Sequence, residues 1–514
     1  MPVLSLIIVV PLLGALFVVG FPDNRYVQRL ATWIAALELL LSFMALVLFN
    51  RADAGFQLQE HYAWIPTLNI AYSVGIDGLS ILFLPMTALL TLLAILACQR
   101  SILPLTRLHF ALLLVLESMS MGIFCALDMV LFFLFWELTL VPILFLIGLW
   151  GIGSKRRAAA VKYVLLMLFG GLFLLAAILL LAINHAEQMH SVKLHDLSFD
   201  LPVLLETFVP ESLQVSVFFL FLLGFAVKAP LVPFHTWLPQ VALEGPTQLT
   251  ALLVGLKLGL YGILRLALPL VPSAAVEYSW VLGVAGAVAL IYGILIALQQ
   301  ANLRRLMAYT GISHVGMVLI GLSAFNIQGL QGAVLQLINF SMIAGALMLL
   351  AGFIQQRLGS TELVHLGGLA KTMPRLTVCY FILAFASMGM PLTSGFPAEL
   401  LLIIGTLLAH PSLGVTTIAG AILGAAAVLL YSRRAFLGPV LRQDVAKVED
   451  LSTAELGLLS VPILFVLAFG LAPNVLLSFN EKTAEDWLAR ILEQPNMENS
   501  EVVGVTLKNT ASMP

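Results

Sequence analysis

Apolar residues in this chain gather into long runs separated by short polar connections. Fourteen runs of about 18–25 residues lie near 3–20, 29–49, 79–98, 109–126, 129–150, 159–184, 213–234, 247–270, 278–298, 303–323, 329–354, 376–407, 414–436 and 455–478. At about 1.5 Å per residue, a helix of this length crosses about 30 Å of hydrocarbon. Two runs predict a break. The seventh ends in FAVKAPLVPFHTWLP, where Lys228 is followed by Pro230, Pro233 and Pro239. Each proline removes a backbone donor and clashes with the preceding turn. The twelfth is too long for one straight crossing and contains MGMPLTSGFPAE. The pattern predicts an all-α integral membrane protein of about 14 transmembrane helices with helices 7 and 12 broken. A polar tail from Asn480 to Pro514 contains one amphipathic piece, TAEDWLARILEQ, expected on the membrane surface. Residues 3–20 lack the basic start and cleavage site of a signal peptide and count as the first span.

Composition agrees. The 514 residues are 61% hydrophobic and 10% charged, and the mean hydropathy of +1.05 excludes a soluble domain. Cys98, Cys125 and Cys379 stand apart within apolar runs, matching no disulfide, metal or iron–sulfur spacing. No Gly-rich phosphate loop precedes a helix, and no polar stretch is long enough for a nucleotide-binding domain. The chain is therefore expected to hold no redox centre, cofactor or metal, and to bind no nucleic acid. The lipid bilayer is its expected surrounding.

Charge placement orients the spans. Odd-numbered connections carry 17 basic residues: Arg25, Arg29, Arg100, Arg107, Lys155, Arg156, Arg157, Lys162, Arg304, Arg305, Arg357, Lys371, Arg375, Arg433, Arg434, Arg442 and Lys447. The even-numbered connections carry only Arg51 and Lys193. The positive-inside rule places the odd connections in the cytoplasm and both termini on the opposite side.

The break recurs. GFAVKAPLVPF (224–234) and AFASMGMPLTSGF (384–396) both put Pro-Leu after an apolar segment and Phe beyond it, five spans apart. An odd number of spans per repeat inverts the second copy, an arrangement found in many ion-translocating proteins. The predicted organisation is helices 1–3 over 1–108, a first five-helix repeat over 109–272, an inverted second repeat over 273–440, and helix 14 with the tail over 441–514.

Ionisable residues inside the spans are the candidate chemistry, because a mid-helix charge costs roughly 2.5–3.5 kcal/mol on insertion scales. They are Glu137 in span five, Lys228 at the first break, Lys257 in span eight, His314 in span ten and Glu399 after the second break. Glu117 and His235 are secondary candidates. A buried lysine and a carboxylate that meet and separate can take up and release a proton. Each group also has a structural alternative. Lys228 could extend to the interface, Glu137 or Lys257 could form packing ion pairs, Glu399 could cap its half-helix, and His314 could be a satisfied interior histidine. Asp77 and Asp128 are expected to cap helices, and Arg265 to reach the headgroups.

The segments FFLFWELTLVPILFLIGLWG, FAVKAPLVPFHTWLP, GPT with LKLGLYGILR, RRLMAYTGISHVGMVLIG and DLSTAELGLLSVPILF, together with VGIDGLS, resemble the subunit M (chain 4) family of respiratory complex I. The resemblance runs from about residue 60 to residue 480. It implies fourteen helices, two inverted repeats, and proton translocation driven by quinone reduction elsewhere in the complex. It assigns that role to Glu137, Lys228, Lys257, His314 and Glu399. It places NADH, flavin, iron–sulfur clusters and quinone in partner subunits, with other membrane-arm subunits as partners in a bacterial inner membrane. Multi-subunit cation/proton antiporters, membrane-bound hydrogenases and carbon-uptake complexes share the fold and supply the alternatives, as does a purely structural role. Three departures stand out. Gln240-Val241-Ala242 replaces the family's Asp-Ala-His. The approach from GPT to Lys257 is two residues shorter, which turns Lys257 by about 200° unless a helix break absorbs the change. Span eleven has Asn339, Phe340 and Ser341 where a histidine is common.

Overall fold

The computed structural model describes residues 2–98, 105–189, 196–440 and 442–510. Arg100, Lys193 and the last residues of the tail lie outside the described residues. Helices α1 (Val3–Gly20) and α2 (Asn24–Leu48) precede an antiparallel hairpin, β1 (Gln57–Ile65) and β2 (Ile70–Ile76). Then come α3 (Phe83–Ala97), α4 (Thr106–Cys125), α5 (Met129–Leu138), α6 (Leu140–Trp150) and α7 (Arg156–Gln188). After the short α8 (Leu201–Glu206) follow α9 (Glu211–Lys228), α10 (Trp237–Glu244), α11 (Thr247–Gly255), α12 (Leu258–Gly262) and α13 (Pro272–Glu277). The second half contains α14 (Ser279–Ala297), α15 (Leu303–Ser323), α16 (Ile327–Leu358), α17 (Leu369–Thr372), α18 (Pro374–Ser387), α19 (Gly395–Ala409) and α20 (Pro411–Ala435). The chain closes with α21 (Gln443–Ala446), α22 (Thr453–Leu471) and α23 (Asn474–Thr510).

All fourteen apolar runs are helical over most of their length. Twelve helical segments are long and apolar enough to cross a membrane, and α3, α18 and α19 are shorter apolar helices. Span five is interrupted at Thr139, three residues before Pro142. Span eight is broken at Leu256–Lys257 and ends in a π-helical turn, Ile263–Ala267. Breaks therefore occur in four spans rather than two.

Hydrophobicity does not sort the inside of this bundle from its outside, because lipid is as apolar as leucine. Depth does. The apolar window of α16 is wholly buried and that of α15 is 89% buried, against 28% for α2 and α20. Phe17, Trp33, Val47, Leu172 and Leu408 are exposed on the outer helices, as lipid-facing residues must be. Spans four, eight, ten and eleven are the most buried, and of the candidate residues Glu117, Lys257 and His314 lie in them, while Glu137, Lys228 and Glu399 approach from spans five, seven and twelve.

The hairpin was not foreseen in the connection between spans two and three. It ties the N-terminal end of α1 down: Glu60 accepts from the N–H groups of Leu4 at 2.8 Å and Ser5 at 3.2 Å, serving donors that a helix start leaves unpaired. Asp128 caps α5 as expected, accepting from Val130 and Leu131, and also from Ala71 of β2.

Arg265 corrects an expectation. It does not reach the headgroups but is buried and ion-paired with Asp77, its guanidinium 4.5 Å from the Phe56 ring. Asp77 keeps its capping role through its other oxygen, which accepts from Leu79 and Ser80. Helix α23 covers this pair. Ala484, Trp487, Leu488 and Ile491 form its buried face, at helical spacing. Thr483 Oγ1 accepts from Gly78 N–H at 3.1 Å, and the Trp487 indole donates to Leu264 O at 3.1 Å.

Arg265→Leu strands a buried carboxylate and is expected to cost about 3–5 kcal/mol, whereas Asp77→Leu/Arg265→Leu should recover most of that loss. Thermal unfolding of the purified variants measures both.

Candidate site of buried ionisable groups

Lys228 is the last residue of α9, which stops because Pro230 and Pro233 cannot continue it. Its ammonium turns inward and donates to Trp136 O at 3.1 Å and Thr139 Oγ1 at 2.9 Å, lying 3.9 Å from the centroid of the Trp136 ring. The side chain does not extend to the interface. Trp136 and Thr139 are three residues apart and so share one face of span five. Glu137, about 100° around the helix, faces α7 instead. Its carboxylate occupies the space left by the missing side chain of Gly171, where an added Cβ would meet Oε1 at 2.1 Å. Both oxygens of Glu137 are buried without a hydrogen bond, and no ion pair within 4.0 Å joins it to Lys228. Glu137 and Lys228 are therefore unpaired in this structure: the lysine is held by neutral acceptors and a ring.

A cavity roomy enough for water leads away from Lys228, lined by Ser120, Tyr163, Trp237, Leu256 and Leu258. Leu256 and Leu258 of that wall are the chain neighbours of Lys257, which stands in the break between α11 and α12. This break answers the shortened approach seen in the sequence, because it frees Lys257 from the helical register. Gly259, just beyond it, packs against the Ala229 backbone after Lys228, where an added Cβ would meet Ala229 N at 2.3 Å. The two breaks are thus in direct contact. The Lys257 ammonium is buried with no hydrogen-bond partner and lies 5.2 Å from the Phe340 ring. Ser341 donates to the carbonyl of Gly255, which the break leaves without its helical donor.

His314 stacks on the other side of the line, its ring centroid 4.2 Å from that of Phe340. Phe340 therefore touches both Lys257 and His314. His314 Nδ1 lies 3.0 Å from Gln336 Nε2. A second water-sized cavity brings His314 together with Glu399, with Thr310, Ser313 and Ser387 in its wall. Glu399 does not cap α19, which has no side-chain cap. Its carboxylate packs instead on Gly389, a residue at φ +63° that accepts glycine alone without strain.

The two secondary candidates lie off this line. His235 sits on the turn Phe234–Thr236 and meets the Tyr292 hydroxyl at 3.2 Å. Glu117 is buried in α4 with both oxygens unpartnered, in electrostatic contact with Glu38 of α2, which is buried in the same state. Glu38 was missed, although a glutamate inside WIAALELLLSF was a visible signal. Tyr163 was also missed. Its buried hydroxyl has no hydrogen-bond partner and lines the cavity beside Lys228, and nothing in the run VKYVLLML distinguishes it from a packing tyrosine.

Residues 126–424 match the transmembrane family described as NADH:quinone oxidoreductase/Mrp antiporter. NADH-quinone oxidoreductase subunit M of Rickettsia prowazekii (strain Madrid E) is 33% identical over 499 residues, covering 95% of this chain and 99% of that one. Subunit M of Rhodobacter capsulatus is 34% identical over 483 residues, covering 92% and 93%. Among solved structures, a chain of respiratory complex I from Thermus thermophilus with bound NADH superposes with a TM-score of 0.85 at 29% identity, covering 95% of this chain and 99% of that one. With its broken spans and buried charges, this chain belongs to the NADH:quinone oxidoreductase/Mrp antiporter transmembrane family.

Proposed function

We propose that this chain is a proton-translocating membrane-arm subunit of an NADH-quinone oxidoreductase of the complex I type. One observation carries the reading: Lys228 and Lys257 stand at helix breaks, Glu399 follows another, Glu137 lies next to the first, His314 of the unbroken α15 shares a cavity with Glu399, and water-sized cavities lie at both ends of the series. In this reading quinone reduction in partner subunits drives the motion, and this chain holds no NADH, flavin, iron–sulfur or quinone site. The chain crosses the bacterial inner membrane many times, with both termini on the non-cytoplasmic side and the two breaks in inverted repeats.

The chemistry follows from what surrounds each group. Burial without a counter-charge favours the neutral form of an ammonium or a carboxylate, and a nearby opposite charge favours the ionised form. Lys228 and Glu137 are one side-chain movement from pairing, because the residues on either side of the glutamate's face already hold the lysine. Making and opening that pair gives two states that hold a proton with different strength. In the open state a proton from Lys228 passes through water toward Lys257. From Lys257 it passes beside Phe340 to His314, and through the second cavity to Glu399. The backbone at each break can shift without tearing a continuous helical ladder, so side chains can move while the bundle stays packed.

In vesicles containing the assembled complex, Lys228→Ala and Glu137→Ala are each expected to lower coupled proton transport at least about tenfold. Wild-type proton-to-electron stoichiometry and rate in both variants would sink the proposal. Gly171→Ala pushes on the flexible end of Glu137 rather than on backbone. It should leave the complex assembled while lowering transport, and normal transport in that variant would show that the Glu137 position is unimportant.

A further inference from the structure

His314, beyond its cavity with Glu399, has a second connection to the same helix. Gln336 Nε2 lies 3.0 Å from His314 Nδ1. Gln336 Oε1 accepts from Asn339 Nδ2 at 3.4 Å, and Asn339 Oδ1 accepts from the Ser394 hydroxyl. Gln336, Asn339 and Ser394 are 1%, 2% and 0% exposed, so bulk water does not compete for these bonds. Ser394 is the residue immediately before α19, the helix that carries Glu399. Its own N–H donates to Val466 O of α22 at 2.9 Å. The connections close a circuit from His314 through Gln336, Asn339 and Ser394 to Glu399, and back to His314 across the cavity.

Such a chain has a direction. A side-chain amide offers a donor at one end and an acceptor at the other. With Nδ1 of His314 unprotonated, every link points toward the imidazole: hydroxyl to amide oxygen, amide N–H to amide oxygen, amide N–H to ring nitrogen. A proton added to His314 makes both ring nitrogens donors, and Nδ1–H then confronts the Gln336 NH2. A buried donor set against a donor is costly. Gln336 relieves it by turning its oxygen to the ring and its NH2 to Asn339. Asn339 must turn likewise, and its NH2 then faces Ser394, whose hydroxyl can no longer donate to it. We propose that Gln336, Asn339 and Ser394 form a polarity-reversing hydrogen-bond chain that carries the protonation state of His314 to the start of the helix bearing Glu399. The proposal rests on the translocation reading, which supplies the proton on His314.

The charged groups facing His314 are few. Lys257 approaches from the break between α11 and α12, near the Phe340 ring, and Glu399 approaches from α19. Helices α14 and α20 line the cavity with Ile294, Gly420, Ala421, Gly424, Ala425 and Val428. Gln336 is the polar side chain that α16 turns to the ring. Glu244 of α10 lies at the other end of α15, where it interacts with Arg304.

The test is a double-mutant cycle in the assembled complex, with coupled proton transport measured across pH. Asn339→Leu and Ser394→Ala should each slow transport about fivefold, the worth of one hydrogen bond, and shift its pH profile. Both cut one chain, so Asn339→Leu/Ser394→Ala should be no slower than the slower single variant. Ser394→Thr keeps the hydroxyl and should restore what alanine loses. Multiplying effects in the double variant, or an unshifted pH profile in Ser394→Ala, overturns the proposal. Should Asn339→Leu fail to assemble, the Ser394→Ala and Ser394→Thr pair decides by the same criteria. Lys228→Ala separates the two levels. If it abolishes transport while Ser394→Ala is normal, only the chain falls; if it transports normally, both readings fall.

Discussion

The contact on which this molecule depends is that between the Lys228 ammonium and the Trp136–Thr139 edge of span five. A charge at membrane depth must find its partners inside the protein, since lipid offers none. Lys228 finds a carbonyl, a hydroxyl and an aromatic face. These are good enough to hold the ammonium and too weak to fix it there against a carboxylate. The carboxylate is at hand, stored against Gly171 with nothing bonded to it. Structure and chemistry coincide at this point, because the same prolines that end α9 place the lysine where span five can receive it.

The other breaks extend this arrangement. Direct packing of Gly259 on Ala229 means that the break after Lys228 and the break at Lys257 cannot move independently. Ser341 stabilises the second break by taking the Gly255 carbonyl, and Ser394 anchors the third between α16 and α22. These three breaks are thus supported by polar side chains from α16, whose apolar window is wholly buried, or by a glycine that lets a neighbour in. Helix α16 is the shaft against which the movable pieces are set.

Much of this was legible in the sequence, because proline chemistry and long apolar runs are local signals. The break after Lys228 and the one before Glu399 could be read directly. The break at Lys257 left only an indirect trace, a length mismatch, since GLKLG contains no proline. The interruption at Thr139 had a signal in Pro142, three residues on, but the surrounding apolar run reads as one helix. Pairings between distant segments were beyond reach. Arg265 looked like a residue near a helix end until Asp77 was found beside it, and the Glu60 carboxylate gave no sign that it would serve α1. Glu137 could be placed inside span five from the sequence, but the direction of its side chain depends on which face of span five α9 occupies. Only packing decides that.

The place of Phe340 has one more consequence. Its ring lies against both Lys257 and His314, and it has no group that can bind or release a proton. A continuous wire of titratable groups would let protons run down their gradient whenever the machine stood idle. On the proposed translocation reading the ring is a plate set into the wire, and a proton passes only by way of water beside it, so that insulation belongs to the proposed device as much as conduction does.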